Sequence, residues 1–144
     1  MKELDTQNKR ILFLCTGNSC RSQIAEGIAK KYFNNYIIES AGTNPESINP
    51  LAIEVMKEID IDLSDHYSKS ITEDKIKFFD IVITLCGDAN DSCVNLNTLV
   101  KKHIHWDITD PAKFHGEEEA KKKIFRDVRE LIKNNIKDLK KFIS

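Results

Sequence analysis

Cys15 and Arg21 are separated by five residues, Thr16-Gly17-Asn18-Ser19-Cys20, and followed by Ser22. A short loop that closes around a tetrahedral oxyanion turns successive backbone N–H groups inward, and the N-terminus of a following helix adds the positive end of its dipole. Gly17 and Asn18 tolerate the left-handed turns such a loop requires. Arg21 can present two parallel donors to two oxygens of one anion, which a point-charge lysine does less well. The anion-binding set is therefore Thr16, Gly17, Asn18, Ser19, Cys20, Arg21 and Ser22. The same field acts on Cys15: a free thiol, with a pKa of about 8.5, is only a few per cent thiolate at neutral pH, and the thiolate is the nucleophile. Ser22 is placed to donate a hydroxyl hydrogen bond to that sulfur and favour its charged form. A buried cysteine closing a strand beside a solvated Arg21 is the bland alternative. A strand, a cysteine loop, an arginine and a helix in that order outweigh it.

Two more cysteines bracket Cys86-Gly87-Asp88-Ala89-Asn90-Asp91-Ser92-Cys93. A continuous helix there would hold its ends ~10 Å apart, whereas a disulfide needs Cα atoms within ~7 Å. Gly87, Asp88, Asn90, Asp91 and Ser92 are weak helix formers that tolerate loops, so the segment is suited to a redox-dependent switch between a helical turn and a looped form. A zinc module built from Cys15, Cys20, Cys86 and Cys93 is the alternative from another class, but gaps of four and six residues fit structural zinc sites poorly. Asp110 precedes Pro111, which holds it extended on a loop; a carboxylic acid opposite a nucleophile can protonate a leaving oxygen. From spacing alone it reads as a turn aspartate, and Asp107 is its nearest competitor.

The elements that must position these residues alternate. Ile11 to Leu14 is an apolar run read as a strand; Gln23 to Phe33 carries Ile24, Ala25, Ile28, Ala29 and Phe33 at helical spacing. Tyr36-Ile37-Ile38 begins a second strand, and Asn49-Pro50 caps and starts a helix bearing Leu51, Ile53, Val55, Met56 and Ile59. Phe79 to Leu85 reads as a third strand and His103 to Trp106 as a short fourth. Glu117 to Ile143 reads as one long helix with an apolar stripe of Ile124, Val128, Leu131, Ile132, Ile136, Leu139 and Ile143. On it, Glu117/Lys121, Glu118/Lys122 and Glu119/Lys123 are spaced for ion pairs. Buried strands alternating with helices imply an α/β fold with a mainly parallel sheet covered on both faces. Ligands of such sheets sit at the carboxyl ends of the strands, which brings Cys86 to the same rim as Cys15.

At 144 residues the chain has the length of one domain, spanning 1–144. With 22 basic and 23 acidic residues its net charge of -1 gives no general pull toward nucleic acid or acidic membranes. The apolar run after the charged start is too short for a signal core or a membrane span, so the expected home is the reducing cytoplasm, where clustered cysteines serve catalysis, metals or redox chemistry.

The segment from Cys15 to Gly27, Ser40-Ala41-Gly42, Asp60-Ile61-Asp62, Leu85-Cys86, His105-Trp106 and Asp110-Pro111-Ala112 together resemble the low-molecular-weight tyrosine phosphatase fold, and within it the thioredoxin-coupled arsenate reductases. The resemblance implies a three-layer α/β/α fold with a four-stranded parallel sheet, acting as a monomer. It implies Cys15 as nucleophile toward arsenate, Arg21 and the loop amides as the oxyanion site, and Asp110 as the acid. A phosphatase needs neither Cys86 nor Cys93. In the reductases these cysteines receive the oxidation in turn, ending in a Cys86/Cys93 disulfide that thioredoxin reduces, with no tightly bound cofactor. A low-molecular-weight phosphatase is the alternative, but the paired aromatics that follow Asp-Pro in tyrosine phosphatases are Ala112 and Lys113 here. Cys20 has no essential step in the reductase pattern and reads as filler. Some members bind a monovalent cation at positions matching Asn18, Glu26 and Ser40 together with an acid. Lys69 stands at the acid's place, so its ammonium can replace the cation and no potassium requirement is expected. His66 borders the active rim or the partner surface. His103 and His105 read as a hydrogen-bonded or exposed pair on one strand face rather than metal ligands, His115 as a surface residue, and Trp106 as a core residue or sheet-end cover.

Overall fold

Ile11, Leu12, Phe13 and Leu14 are all fully buried. Successive strand residues point to opposite faces, so the strand that contains them is covered on both sides. In a computed structural model of the chain, which describes residues 9–85 and 100–143, that strand is β1 (Arg10–Cys15). It lies between β2 (Ile37–Gly42) and β3 (Ile81–Thr84), with β4 (His103–His105) at the edge, in the order β2-β1-β3-β4. All three pairings are parallel, and Cys15 is in register with Gly42, Leu14 with Thr84 and Thr84 with His105. The expected α/β class and four-stranded parallel sheet are therefore found.

Between β1 and β2 runs α1 (Arg21–Tyr32), two residues earlier at its start than the apolar spacing shows, because Arg21 and Ser22 belong to its first turn. α2 (Pro50–Lys57) begins as expected, with the Asn49 side chain accepting from the Leu51 N–H at 2.9 Å. The chain leaves this helix through Asp60 in a left-handed conformation, φ 63°. α3 (Glu73–Phe78) was not apparent in the sequence: at six residues it is too short for a periodic signal, although Thr72 caps the Lys75 N–H and Glu73 and Asp74 fill its first turn. A 3-10 turn at Pro111–Lys113 precedes α4 (Glu118–Ile143).

On α4 the buried residues are Phe125, Val128, Ile132, Ile136 and Leu139, whereas Leu131 is 45% exposed. The stripe is thus rotated from the expected one, with Phe125 inside in place of Leu131. The ion pairs also differ. Lys122 meets Glu54 at 2.9 Å and Glu119 at 3.7 Å, and Lys123 meets Asp127 at 3.0 Å, so charges expected to pair along the helix reach to α2 or to other turns instead. Arg126 and Arg129 both grip Glu58, each at 2.8 Å, and Arg129 also donates to the Val55 carbonyl, which ties α4 to the end of α2. The hydrogen bonds from Arg126 and Arg129 hold the Glu58 carboxyl down at about 2. No helix among the described residues is long and apolar enough to cross a membrane.

Candidate oxyanion site

Strand β1 ends at Cys15 and α1 begins at Arg21, and the five residues between them form a ring whose carbonyls are engaged from outside. The carbonyl of Cys15 accepts from Thr43 N at 3.2 Å, Thr16 from Asn44 N at 2.8 Å, Gly17 from Glu46 N at 2.8 Å, Ser19 from Asn49 N at 2.9 Å and Cys20 from Ile24 N at 2.8 Å. The Asn18 carbonyl accepts from the Gln23 amide at 3.1 Å and the Ser68 hydroxyl at 2.9 Å. In a trans peptide the N–H points opposite to the carbonyl of the same plane, so outward carbonyls turn the following N–H groups into the ring. Asn18 takes the left-handed conformation, φ 50°, as expected; Gly17 does not. The glycine that the ring depends on is Gly42 of β2, where a Cβ would lie 2.5 Å from the Thr16 carbonyl oxygen. Helix α1 opens with no side-chain cap and no acid in its first turn, leaving its positive end uncancelled.

Inside this frame Cys15 Sγ and Ser22 Oγ are hydrogen-bonded at 2.9 Å, both residues buried. The Asn18 amide donates to the same Ser22 oxygen at 2.7 Å, while its own Oδ1 accepts from the Lys69 backbone N–H. A hydroxyl that accepts from Asn18 still has its hydrogen to give, so Ser22 can donate to a Cys15 thiolate. Arg21 is 6% exposed. Its Nη1 donates to the Ile108 carbonyl at 3.0 Å and its Nη2 lies 3.5 Å from Asp110 Oδ2, but its buried Nε has no partner among the described residues. A buried guanidinium N–H without an acceptor is costly, and an anionic oxygen in the ring is the group that would satisfy it.

Asp110 is extended, φ -70° and ψ 112°, and its Oδ1 accepts from the Ala112 N–H at 2.9 Å, as expected of a residue before proline. The Cys20 thiol also faces Oδ1, at 3.5 Å. Burial first, and then the charges of Asp110 and Cys15, push the Cys20 thiol up to about 12, so it stays protonated and does not compete with Cys15 as nucleophile.

Behind the ring, Glu26 is buried and accepts from the Ser40 hydroxyl; Lys30 meets it at 2.7 Å and Lys69 at 3.9 Å. Lys69 Nζ also donates to the Tyr67 carbonyl at 2.9 Å. The residues expected around a monovalent cation are thus together, with an ammonium among them. Gln23, fully buried, donates to the Asn18 and Tyr67 carbonyls and accepts from His66 Nδ1 at 2.9 Å, which ties His66 to the rim of the ring. Burial lowers the His66 imidazole from its ordinary range. Sequence reasoning missed Gln23, Ser68, Gly42 and the donors of 43–49, because nothing in their spacing marks a residue that serves a distant loop. Trp106 packs against Phe13 at 6.0 Å between ring centroids.

The structure brings Cys15, Arg21, Ser22, Cys20 and Asp110 together. Cys86 and Cys93, and the helix-to-loop change expected between them, lie outside the described residues. The preceding residue is described: the Leu85 N–H donates to the Leu14 carbonyl at 2.9 Å, beside the end of β1. Among the described residues no group of three or more His, Cys, Asp or Glu side chains is placed to hold a metal ion.

A family model described as low molecular weight phosphotyrosine protein phosphatase matches residues 10–144. An arsenate reductase of Bacillus subtilis (strain 168) is 47% identical over 133 residues, 92% of this chain and 95% of that protein. A structure of an arsenate reductase in the phosphate binding state aligns with TM-score 0.75 at 32% identity, covering 94% of this chain and 99% of that one. The low molecular weight protein tyrosine phosphatase from T. tengcongensis aligns with TM-score 0.80 at 28% identity over 94% of this chain and 99% of that one.

Proposed function

Because the chain belongs to the low molecular weight phosphotyrosine protein phosphatase family, and its curated relatives include arsenate reductases, we propose that it reduces arsenate to arsenite through Cys15, Cys86 and Cys93, with thioredoxin as electron donor. The observation that carries the oxyanion half of this reading is the buried Arg21 Nε, without a partner among the described residues, beside the Cys15–Ser22 hydrogen bond. The Cys15 thiolate attacks arsenic; an As–O bond breaks, and the leaving oxygen takes a proton from Asp110 and departs as water. Cys86 then attacks the Cys15 sulfur. An S–S bond forms, the S–As bond breaks, and its electron pair stays on arsenic, which leaves as arsenite. Cys93 attacks Cys86 and releases the Cys15 thiolate, and the Cys86/Cys93 disulfide is reduced by thiolate exchange with thioredoxin. What supports the second half is chain geometry. Cys86 is one peptide bond beyond Leu85, whose N–H is bonded to the residue before Cys15, and adjacent Cα atoms are about 3.8 Å apart.

No organic cofactor is needed for these steps, and the Lys69 ammonium near Glu26 supports a reaction that does not depend on potassium. A phosphatase acting on aryl phosphates is the second reading. It uses the same ring, Arg21 and Asp110, but has no use for the two later cysteines. The deciding assay couples the chain to thioredoxin, thioredoxin reductase and NADPH. Cys93→Ser is expected to lose multiple-turnover arsenate-dependent NADPH oxidation while keeping whatever aryl phosphate cleavage the wild type has; equal turnover in the two proteins refutes the relay.

A further inference from the structure

Thr84 ends β3 fully buried, and its hydroxyl oxygen meets two imidazoles of β4: His103 Nε2 at 3.0 Å and His105 Nδ1 at 2.7 Å. Residues two apart on a strand share a face, which is why both rings reach one hydroxyl. The Trp106 N–H donates to the Thr84 carbonyl at 2.7 Å, so backbone and side chain of one residue hold the end of β4. The chain leaving that point runs to Ile108, whose carbonyl holds Arg21, and on to Asp110.

A hydroxyl has one hydrogen to give and lone pairs to receive. With both rings neutral, Thr84 donates to one facing nitrogen and must accept an N–H from the other, so the two tautomers are coupled. One proton is accommodated: the charged ring donates to Thr84 and Thr84 donates to the neutral ring. A second proton leaves the Thr84 hydrogen without either acceptor and aims two cations at one buried oxygen.

We propose that Thr84, His103 and His105 form a clamp that holds at most one proton and positions the Ile108–Asp110 segment against Arg21. Burial and the charge of His105 lower the His103 imidazole from its ordinary range, as the clamp requires. Among the described residues few other charges bear on it. Lys101 is drawn to Asp80 at 3.4 Å, Lys102 lies over the Phe142 ring, Asp107 follows Trp106 on the same segment, and β3 contributes only Ile81, Val82 and Ile83 besides Thr84. β4 is an edge strand of three residues whose ladder is with β3 alone, so a second proton is expected to loosen its end at the clamp while the ladder and the Trp106 contact hold the rest.

The clamp rests on the proposed function only in naming Asp110 as the group positioned, and the test separates the two. Long-range proton–nitrogen correlation spectra of the histidine rings, with the full chain labelled, read the tautomers and titrations directly. Slightly above neutral pH, His103 Nε2 and His105 Nδ1 are expected in opposite states, one protonated and one bare. The rings are expected to titrate in two steps about one pH unit or more apart, with the amide resonances of Trp106 to Asp110 following the second step. In Thr84→Val the steps merge and those amides cease to follow. Matching states at the two facing nitrogens, or identical titrations in wild type and Thr84→Val, overturn the clamp. In turnover, the acid limb of the arsenate pH profile is expected to move in Thr84→Val while KM stays within about twofold; an unmoved limb overturns the positioning role. If the wild type reduces no arsenate, the proposed function falls and the ring and amide titrations still decide the clamp.

Discussion

Gly42→Ala is expected to damage the site more than Gly17→Ala, although Gly17 lies inside the ring and Gly42 on the neighbouring strand. A Cβ at Gly42 would sit 2.5 Å from the Thr16 oxygen, 2.9 Å from Asn18 N and 3.1 Å from Asn18 Cβ. Ordinary contact begins at 3.4 Å, so ring and strand must part by about 0.9 Å. Neither side yields alone. The Thr16 carbonyl is tied to Asn44 N, while Gly42 is held through both its N–H, to the Lys69 carbonyl, and its carbonyl, from Ile71 N. Overpacking of this kind costs about 1–3 kcal/mol, a fall in Tm of roughly 3–9 °C for a chain of this size. A displacement near 1 Å at a reacting centre costs on the order of 10²-fold in rate. At Gly17 the nearest atom is the Ser19 hydroxyl at 3.1 Å, the tip of a side chain that can rotate away, and the loss there is expected to stay below about tenfold. Sulfate affinity by calorimetry, thermal unfolding and single-turnover arsenate reduction measure the three effects. Gly42→Ala with sulfate affinity within about threefold of wild type, or a larger loss in Gly17→Ala, refutes the reasoning.

Glu58→Gln removes the two-arginine grip and is expected to cost about 1 kcal/mol in urea unfolding near neutral pH, the scale of a half-exposed ion-pair network. Because the folded carboxyl lies at about 2, below its ordinary 4.5, that contribution is complete above the ordinary value and disappears as pH falls toward 2, where mutant and wild type should converge. Cys20, raised to about 12, is expected to resist iodoacetamide at pH near 8 while Cys15 reacts, which mass spectrometry of the alkylated peptides would read; equal labelling contradicts it. Exchanging sodium for potassium at constant ionic strength is expected to leave wild-type turnover unchanged and to raise that of Lys69→Gln, in which Glu26 has lost one of its cations.

The sheet and the ring were legible in the sequence because their signals are local. Ile11 to Leu14 and Ile81 to Thr84 are unbroken apolar or β-branched runs, and the Cys15-to-Arg21 spacing admits few other uses. Asn49-Pro50 fixed the start of α2 through a single cap. Failures came where partners are remote in the chain. The facing of α4 depends on what packs against it, so a stripe containing Leu131 and one containing Phe125 are equally periodic. Lys122 finds Glu54 rather than Glu118 because the neighbouring helix offers a better-placed carboxylate. The sharing of Thr84 by His103 and His105 depends on the register of a pair of strands nineteen and twenty-one residues apart, which no short motif encodes.

The outward tethering of the ring has a consequence for how this chain tolerates change. Its carbonyls are anchored by residues 43, 44, 46 and 49, by Ser68 and by the helix that follows, so the anion cradle is a knot tied from three stretches of chain rather than a self-contained octapeptide. Grafting residues 15–22 onto another strand–helix junction would transplant the letters without the knot. A one-residue deletion between positions 43 and 49, a surface stretch that carries none of the proposed reacting groups, should slacken anion capture as surely as an error in the motif itself.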